Sequence, residues 1–379
     1  MVPANRASHR RRRGLKSCLA PTFADRAGRW LLHSGIQDAN GGVARYYRSD
    51  IGCNNPISTE ITGYAVSTLV YLHALSGEQG YLDRAALAAR FLARAAWDAD
   101  RDAMPFEYGP SANGAGPRTY FFDCGIIARG LLAAWRATGE DEFFDAAGRC
   151  GRAMLRDFHA GGAEFHPVLT LPDKVPFARD DRWSRAPGCY QLKSALAWHD
   201  LDHAAACAEF SEAYGRVLED ALRTHAGFLP GNPERLKVMD RLHAYSYFLE
   251  GMLPRADEPR CAAAIREGIA RLAGWLRAIA GEFARSDVYA QLLRMRLFAD
   301  WMGVEPLDFT AACEEAEALA AFQCDDPDPR MDGGFWFGRR DGRWLPYVNP
   351  VSTGFALQAL AMWQERLAGE PRTYPHMLI

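Results

Sequence analysis

Four acidic residues stand where the sequence predicts the beginning of a helix: Glu60, Asp123, Asp240 and Asp287. Two carboxyl groups in one cleft can serve as general acid and general base when one is protonated and the other ionised. An acidic residue at a helix start also has a structural explanation, because it caps the first turn or complements the helix dipole. Asp123 follows two phenylalanines and precedes Cys124, and such apolar surroundings raise the pKa of a carboxyl group. Asp123 is therefore a candidate for proton transfer.

Two histidines are further candidates, because imidazole titrates near neutral pH. His243 lies near a predicted helix start beside Tyr245, and His166 follows an aromatic segment. A lone histidine at a buried helix start is more often structural than catalytic. The sequence leaves both roles open.

The signatures of several enzyme classes are absent from the sequence. It contains no Gly-x-x-x-x-Gly-Lys phosphate loop, no Gly-x-Ser-x-Gly elbow and no His-Glu-x-x-His zinc motif. The nine cysteines are scattered without a Cys-x-x-Cys spacing. The acidic run 325–328 could hold magnesium, but its prolines predict an exposed turn. No metal site and no cofactor are predicted.

The two ends of the chain resemble each other, which predicts a repeated structural unit. Near the N-terminus Gln37 precedes Gly41-Gly42-Val43, and Thr62-Gly63-Tyr64 follows about twenty residues later. The matching residues near the C-terminus are Gln323, Gly333-Gly334-Phe335-Trp336 and Thr353-Gly354-Phe355. The match predicts that the first and last units lie side by side and close a ring.

Six helix starts can be set in register on a small residue: Gly63-Tyr64, Gly125-Ile126, Gly188-Cys189, Ala244-Tyr245, Val288-Tyr289 and Gly354-Phe355. Each opens a helix that is apolar nearly all round, and a more amphipathic helix follows after a turn. A helix of the first kind is buried on all sides, whereas the second has one solvated face. The alternation predicts an inner and an outer ring of helices, that is, a ring of helical hairpins.

The connections between these helices are also informative. Short aromatic segments, predicted to form strands or hairpins, precede five of the six starts, and the fifth start near Asp287 lacks one. The irregular stretch 167–187 is rich in charge and is interpreted either as a lid over a cleft or as a solvated surface loop. We predict one domain over residues 23–372, preceded by a disordered basic tail over residues 1–22.

Composition excludes some classes of partner. The chain has 379 residues, 49% of them apolar, and a net charge of -3. A nucleic-acid binder or a polybasic membrane-surface protein needs an excess of positive charge, so neither is predicted. No segment is long enough to span a membrane, and the basic N-terminus lacks the apolar segment of a secretory signal. With unpaired cysteines, these features predict a cytoplasmic protein.

The segment from Ile57 to Tyr64, which follows a Gln…Gly-Gly element, resembles the first hairpin of (α/α)6-toroid proteins of the six-hairpin glycosidase-like superfamily. That superfamily includes poorly characterised members found with polysaccharide genes. A more distant resemblance is to terpene cyclases and protein prenyltransferases, which share the Gln…Gly-Gly-aromatic repeat. The resemblance implies an all-α (α/α)6 toroid with short β-hairpins in its loops, and a funnel formed by the N-terminal ends of the inner helices.

In characterised relatives this funnel binds sugars, so the resemblance also implies which residues contact a substrate. It favours Glu60, Asp123 and His243 as catalytic residues. The implied substrate-binding residues are Tyr64, Arg118, Tyr120, Tyr190, Asp240, Tyr245, Asp287, Tyr289, Trp336, Tyr347 and Asn349. Aromatic rings could stack on sugar faces, and polar groups could bind hydroxyls and a uronate carboxylate.

The predicted function is the cleavage or modification of an oligosaccharide or polysaccharide. A glycoside hydrolase would use two carboxyl groups, and their number at the helix starts favours this class. A uronate lyase or epimerase would instead use His243 and Tyr245, with Tyr64 and Arg118 beside the substrate carboxylate. The alternatives are a non-catalytic toroid that binds a glycan or a protein, and a toroid of the terpene cyclase or prenyltransferase type.

Overall fold

The structure is a computed structural model that describes residues 22–109 and 116–379. Nearly all of the predicted basic tail, residues 1–21, lies outside the described residues. Thr22 caps the first helix, because its hydroxyl accepts from the backbone of Asp25 and the Asp25 carboxylate accepts in return.

The described residues form twelve α-helices in two concentric rings. The inner helices are α2 (Thr59–Ser76), α4 (Phe121–Thr138), α6 (Gln191–Ala205), α8 (Arg235–Gly251), α10 (Ser286–Trp301) and α12 (Pro350–Ala368). The outer helices are α1 (Phe23–His33), α3 (Gln79–Arg90), α5 (Asp141–Asp157), α7 (Ala208–Thr224), α9 (Pro259–Ile279) and α11 (Phe309–Ala320). Each inner helix contacts the next, and α12 contacts both α1 and α2, so the ring is closed. The predicted (α/α)6 toroid is confirmed.

The inner helices approach each other closely where the sequence supplies glycine. A Cβ on Gly63 of α2 would come within 2.9 Å of Ile127 Cα in α4. A Cβ on Gly125 of α4 would come within 2.5 Å of the backbone oxygen of Ser194 in α6. Real Cβ contacts are longer than this, so larger residues at these positions would force the inner helices apart. The glycines that mark the repeat in the sequence thus set the spacing of the inner ring.

The sequence motif shared by the first and last units makes the same hydrogen bonds in both units. Gln37 Nε2 donates to Gly41 O (3.1 Å), and Thr62 Oγ1 accepts from Val43 N (3.0 Å). The matching bonds are Gln323 Nε2 to Gly333 O (3.0 Å) and Phe335 N to Thr353 Oγ1 (3.0 Å). In both units the threonine also donates to the residue four positions earlier. The motif is therefore structural, and it fixes each glycine loop to the first turn of an inner helix.

Short strands lie in the loops that precede five of the six inner helices. Among the described residues none precedes α8, where the aromatic segment 227–229 was wrongly expected to form a strand and instead follows a short turn at His225–Gly227. The strands are β1 (Tyr47–Arg48), β2 (Cys53–Asn54), β3 (Arg118–Tyr120), β4 (His159–Gly161), β5 (Glu164–Phe165), β6 (Val168–Thr170), β7 (Val175–Pro176), β8 (Phe283–Arg285), β9 (Gly338–Arg340), β10 (Arg343–Trp344) and β11 (Tyr347–Val348). Their antiparallel pairings give the orders β11-β1-β2, β10-β9-β8, β3-β6-β7 and β4-β5. Pairing of β1 with β11 joins the first and last units. The expectation that the fifth unit lacks a strand was wrong, because β8 pairs with β9 directly before α10.

The fourth helix start also differs from the prediction. The register placed it at Ala244-Tyr245, but α8 begins at Arg235. The chain turns just before this point, where the Asn232 side chain accepts from the backbone of Glu234. These local signals outweigh the distant repeat, so Asp240, His243 and Tyr245 lie within α8 and not in its first turn.

Candidate active site

A cavity of about 520 Å³ opens at the end of the ring where the inner helices begin. We call it the central cavity. Its wall consists of charged, aromatic and polar side chains: Arg45, Tyr46, Glu60, Phe106, Tyr120, Phe122, Asp123, Trp183, Ser184, His243, Tyr247, Arg285, Asp287, Phe337, Tyr347 and Asn349, together with Ile61 and Val351. The volume lies within the range of small-molecule sites, and the mixture of rings and ionisable groups is typical of them.

Glu60 is presented to the central cavity by the first turn of α2. The cap of this helix is a different residue, Ser58, whose hydroxyl lies 3.4 Å from Ile61 N. Glu60 is therefore not needed to satisfy the backbone there. Burial raises the pKa of Glu60 to about 7, although the positive charge of Arg45 opposes the shift. The carboxyl group can thus exchange a proton near neutral pH.

Asp123 reaches the same cavity from the first turn of the neighbouring helix, α4. Burial raises its pKa well above the usual range, the negative charge of Glu60 raises it further, and Arg45 lowers it. Its Oδ2 is buried and has no hydrogen-bond partner. A buried acceptor without a partner costs about 1–3 kcal/mol, so this oxygen is suited to a ligand. Together Glu60 and Asp123 resist losing both protons, because two close negative charges repel each other.

His243 faces the cavity from α8 and is almost fully buried. Its Nδ1 lies 2.7 Å from Gln291 Oε1, which fixes Nδ1 as the donor and leaves Nε2 as an acceptor. Burial lowers the pKa of His243 to about 4, in spite of the nearby Asp287 carboxylate. The imidazole is therefore neutral at neutral pH, with Nε2 as its acceptor, and its lowered pKa makes it a weak base.

Arg285 and Asp287 form a fixed ion pair on the opposite wall. Arg285 donates Nε to Asp287 Oδ1 (3.0 Å) and Nη2 to Asp287 Oδ2 (2.5 Å). Its Nη1 donates to Asp240 Oδ1 (2.7 Å), and its guanidinium lies 4.5 Å from the centre of the Phe337 ring. Although burial opposes ionisation, the Arg285 charge holds the pKa of Asp287 below its usual value. Asp287 is thus an ionised partner of arginine and not a proton donor.

Seven predicted site residues line the central cavity: Glu60, Asp123, His243, Tyr120, Asp287, Tyr347 and Asn349. Asn349 has a second role, because its Oδ1 caps α12 by accepting from Val351 N (2.7 Å). The structure thus brings together residues from the first, second, fourth, fifth and sixth units.

Three predicted residues lie beside the cavity and do not line it. Tyr64 is buried behind it, where its hydroxyl donates to that of Tyr247 (3.1 Å). Asp240 does not line the cavity but is bonded to Arg285, which does. Arg118 lies on β3 and lines a neighbouring cleft.

Four predicted aromatic residues pack elsewhere: Tyr190, Tyr245, Tyr289 and Trp336. The Tyr190 hydroxyl donates to Ala186 O (3.0 Å). Tyr245 bonds to His225 Nδ1 (3.0 Å), because it lies on a different face of α8 from His243 and Tyr247. Tyr289 packs on Phe322, and Trp336 stacks on Trp344.

The sequence reasoning missed several wall residues: Arg45, Phe106, Phe122, Trp183, Tyr247 and Phe337. Two signals could have found some of them. Tyr247 follows His243 by four residues and so shares its helix face, and Arg45 and Phe106 lie in aromatic segments just before inner helices. Trp183 has no such signal, since it comes from the stretch 167–187. Within this stretch β6 pairs with β3 and β7 pairs with β6, and the stretch contributes Trp183 and Ser184 to the wall.

The acidic run 325–328 lies outside the central cavity. Asp325 is almost fully exposed and contacts Arg26, while Asp328 is paired with Arg330 (2.7 Å). In the described part of the chain, no group of three or more His, Cys, Asp or Glu side chains is placed to hold a metal ion. Within the same residues, no helix is both long and apolar enough to cross a membrane.

Known proteins resemble this chain in structure and not detectably in sequence. No family model and no curated protein matches the sequence. A sugar epimerase from a ruminal bacterium has a TM-score of 0.70 at 12% identity, over 89% of this chain and 96% of that chain. Cellobiose 2-epimerase from Spirochaeta thermophila has a TM-score of 0.68 at 16% identity, over 89% and 93%. A D-mannose isomerase has a TM-score of 0.65 at 7% identity, over 91% and 97%.

At these identities the likeness establishes the fold alone. The resemblance to six-hairpin toroids that the sequence suggested is confirmed at that level.

Proposed function

We propose that the protein is an enzyme that acts on an oligosaccharide or polysaccharide in the central cavity, with Glu60 and Asp123 as acid and base. The observation that carries this proposal is the placement of two carboxyl groups with raised pKa values on adjacent inner helices, facing one cavity. Perturbed carboxyl groups in a cleft are typical of sites that move protons. The likeness to sugar epimerases and a sugar isomerase supports a sugar as substrate.

Hydrolysis of a glycosidic bond suits this pair best. One carboxyl group must protonate the leaving oxygen, and the other must act as a base or a nucleophile. Glu60, with a pKa of about 7, still holds a proton at neutral pH. Once one proton has left, the negative charge on one group keeps the proton on the other, and Arg45 stabilises that single charge. Aromatic side chains such as Trp183 and Tyr347 offer faces on which a sugar ring can stack.

A second candidate is the epimerisation or isomerisation of a sugar, which removes a proton from a carbon next to a carbonyl group. The neutral His243, with its Nδ1 bonded to Gln291, presents Nε2 as a base for this step. Tyr247 and Arg285, which also line the cavity, take the places that the sequence reasoning gave to Tyr245 and Arg118.

A comparison of four variants with the wild type tests the proposal. Glu60→Gln, Asp123→Asn and His243→Asn alter the cavity, and Glu315→Gln is the control. Glu315 is also a buried carboxyl group whose pKa burial raises to about 7, but it lies on α11 and is paired with Arg296 (2.8 Å). All five proteins are incubated with neutral and acidic oligosaccharides, below the melting temperature of the least stable variant.

If the protein is a hydrolase, new reducing ends should form. The rate of their formation should fall by about 10²–10⁴-fold in Glu60→Gln and Asp123→Asn and stay unchanged in Glu315→Gln. Epimerisation or isomerisation predicts a new sugar isomer that takes up deuterium from heavy water without new reducing ends, and it is lost in His243→Asn. Elimination would give an unsaturated product with ultraviolet absorbance. Melting shifts without any product would assign a binding role, and equal turnover in all five proteins would contradict the assignment of the site.

A further inference from the structure

A second, larger cleft of about 790 Å³ adjoins the central cavity. We call it the side cleft. Arg45, Phe106, Tyr120 and Ser184 line both spaces, so the two share one wall. The side cleft is therefore adjacent to the central cavity, at the distance of a neighbouring unit of one sugar chain.

The side cleft carries an excess of positive charge. Five arginines line it: Arg45, Arg101, Arg118, Arg182 and Arg185. The acidic side chains in its wall are Asp98 and Glu107. Arg101 is paired with Asp98, and Arg45 lies 3.8 Å from Glu107. The remaining three arginines have no acidic partner within the lining of the cleft.

Arg118 is the least compensated of these arginines. Among the described residues, no carboxylate lies within 4.0 Å of its guanidinium, whereas Arg182 and Arg185 both contact Asp180. The segments that the structure does not describe, 1–21 and 110–115, contain no aspartate or glutamate. The half-buried Arg118 thus presents a charge that no carboxylate of the described chain neutralises.

Arg118 and Arg185 both lie against one aromatic ring. Their guanidinium carbons lie 4.2 Å and 4.7 Å from the centre of the Phe177 ring. Such contact fixes the plane of each guanidinium and reduces the entropy lost on binding. Because Arg185 is already paired with Asp180 (2.8 Å), the positive charge that remains for an anion is chiefly that of Arg118. Planar guanidinium groups match carboxylate and sulfate oxygens with paired hydrogen bonds.

We propose that the side cleft binds an anionic group of the substrate, a carboxylate or a sulfate ester on a sugar unit next to the one that reacts. The substrate is then an acidic oligosaccharide or polysaccharide, an inference that rests on the proposed function of the central cavity. Aromatic side chains of the cleft, Phe106, Tyr108 and Tyr120, offer stacking faces for the sugar rings. Arg118 and Arg185 set the preference for the anion.

The test measures binding by titration calorimetry with matched ligands. Four-unit oligosaccharides from polyuronates are compared with their carboxyl-reduced, neutral forms and with sulfated neutral oligosaccharides of the same length. The proteins are wild type, Arg118→Gln and the control Arg179→Gln. Arg179 lies in the same stretch and is exposed, but it contacts Glu164 and does not line the cleft. Both substitutions remove the same charge, and melting curves show whether each variant is folded.

We expect wild type to bind at least one acidic oligosaccharide more than 10-fold more tightly than its neutral form. Arg118→Gln should weaken that binding about 10-fold or more and leave the neutral form unaffected, while Arg179→Gln leaves both unchanged. Preference for the sulfated ligand over the uronate identifies sulfate as the anion and supports the inference equally. Equal affinity for acidic and neutral forms, binding unchanged by Arg118→Gln, or no binding of any acidic ligand to wild type would overturn it.

Glu60→Gln separates this inference from the proposed function. If that variant binds the acidic oligosaccharide as wild type does but does not turn it over, both proposals stand. If wild type binds the acidic ligand through Arg118 but never transforms it, the anion site stands and the enzymatic function fails.

Discussion

At the scale of single residues, Glu60 and Asp123 differ from two buried carboxyl groups elsewhere in the molecule. Glu250 and Glu315 are also buried, but each is paired with arginine. Asp123 Oδ2 has no partner, and the nearby Arg45 is shared with Glu107. A fold that needed these carboxyl groups only for stability would pair them, because a buried polar group without a hydrogen-bond partner is costly. Their arrangement is explained by a ligand that completes it.

The raised pKa of Glu60 predicts how stability depends on pH. Folding raises this pKa from 4.5 to about 7, so the native state holds a proton that the unfolded state has released between these values. Stability contributed by this proton is complete below the lower value and is lost as pH rises to about 7. The glutamine in Glu60→Gln does not ionise, so this variant does not lose this stability as the pH rises. The variant should therefore gain stability relative to wild type from pH 5 to 7.5, by about 1–3 kcal/mol for a partly solvated group.

Urea unfolding at several pH values measures this difference. Glu212→Gln, on the exposed surface of α7, controls for the change in net charge. A constant difference between Glu60→Gln and wild type across the range would contradict the assigned pKa.

The sequence located some of these residues because helix starts are a local feature. Glu60, Asp123, Asp287 and Asn349 each lie at or just before the beginning of an inner helix, and all of them line the cavity. The rule failed for Tyr245, because the start of α8 was set by a local turn that the repeat did not reveal. Trp183 could not be predicted, since its place depends on strand pairing between distant loops.

At the scale of elements, the first and last units share one geometry because in each a glycine loop is hydrogen-bonded to an inner helix. The Thr62 hydroxyl accepts from Val43 N and donates to Ser58 O (2.7 Å), so it joins the glycine loop to the first turn of α2. This turn carries Glu60. The Gln…Gly-Gly…Thr pattern thus positions the candidate catalytic residue without contacting the cavity.

Replacing this threonine by valine should show the strength of that connection. Thr62→Val keeps the shape of the side chain but leaves the buried Val43 N–H without an acceptor. We expect a loss of about 1–3 kcal/mol in the free energy of unfolding, and the same for Thr353→Val at the matching position. In Thr68→Val, the control, the lost hydroxyl only donates to Tyr64 O within the helix, so the loss should stay below about 1 kcal/mol. Equal losses in all three variants would contradict the structural role of the motif.

The close contact between inner helices gives a second prediction at this scale. Gly63→Ala places a Cβ at 2.9 Å from Ile127 Cα, and overpacking of this kind costs about 1–3 kcal/mol. Gly215→Ala, in the outer helix α7, meets no atom within 4 Å. It should instead stabilise the protein by about 0.5–1 kcal/mol, because alanine favours the helix. Chemical denaturation of both variants measures the change in the free energy of unfolding, which should have opposite signs in the two variants. A stabilising Gly63→Ala would show that the inner ring is not tightly packed.

At the scale of the whole molecule, the ring could be predicted because its repeated unit gives a recognisable residue pattern in the sequence. The match between Gln37 to Thr62 and Gln323 to Thr353 indicated closure, and the pairing of β1 with β11 and of α12 with α2 follows it. The position of the side cleft could not be predicted, since β3, the stretch 167–187 and the loop near Arg45 meet only in the folded chain. The repeat in the sequence predicts the ring of helices, whereas the walls of its cavities depend on pairing between loops that are distant in the sequence.

The centre of the ring holds a buried ionic cluster that ties the inner helices together. Lys193 of α6, Glu250 of α8 and Arg294 of α10 are each 0% exposed. Glu250 lies 3.0 Å from Lys193 Nζ and 2.5 Å from Arg294 Nη2, and Arg294 also donates to Gln358 of α12 (2.9 Å). Two cations thus share one carboxylate. Burial lowers the pKa of Lys193 to about 7, partly opposed by Glu250.

The cluster predicts unequal effects for its members. Glu250→Gln leaves the buried Arg294 guanidinium and the protonated fraction of Lys193 without a counter-charge, and we expect a loss of about 3–5 kcal/mol in the free energy of unfolding at pH 7. Lys193→Met keeps a similar volume and leaves the Arg294–Glu250 pair balanced. Because Lys193 is already partly neutral near pH 7, its replacement should cost less, about 1–3 kcal/mol, chiefly because the buried Ile379 O loses its donor. Urea unfolding of both variants provides the test. Equal losses would mean that Glu250 stabilises the ring through Lys193 as strongly as through Arg294, and that the lysine is fully charged in the core.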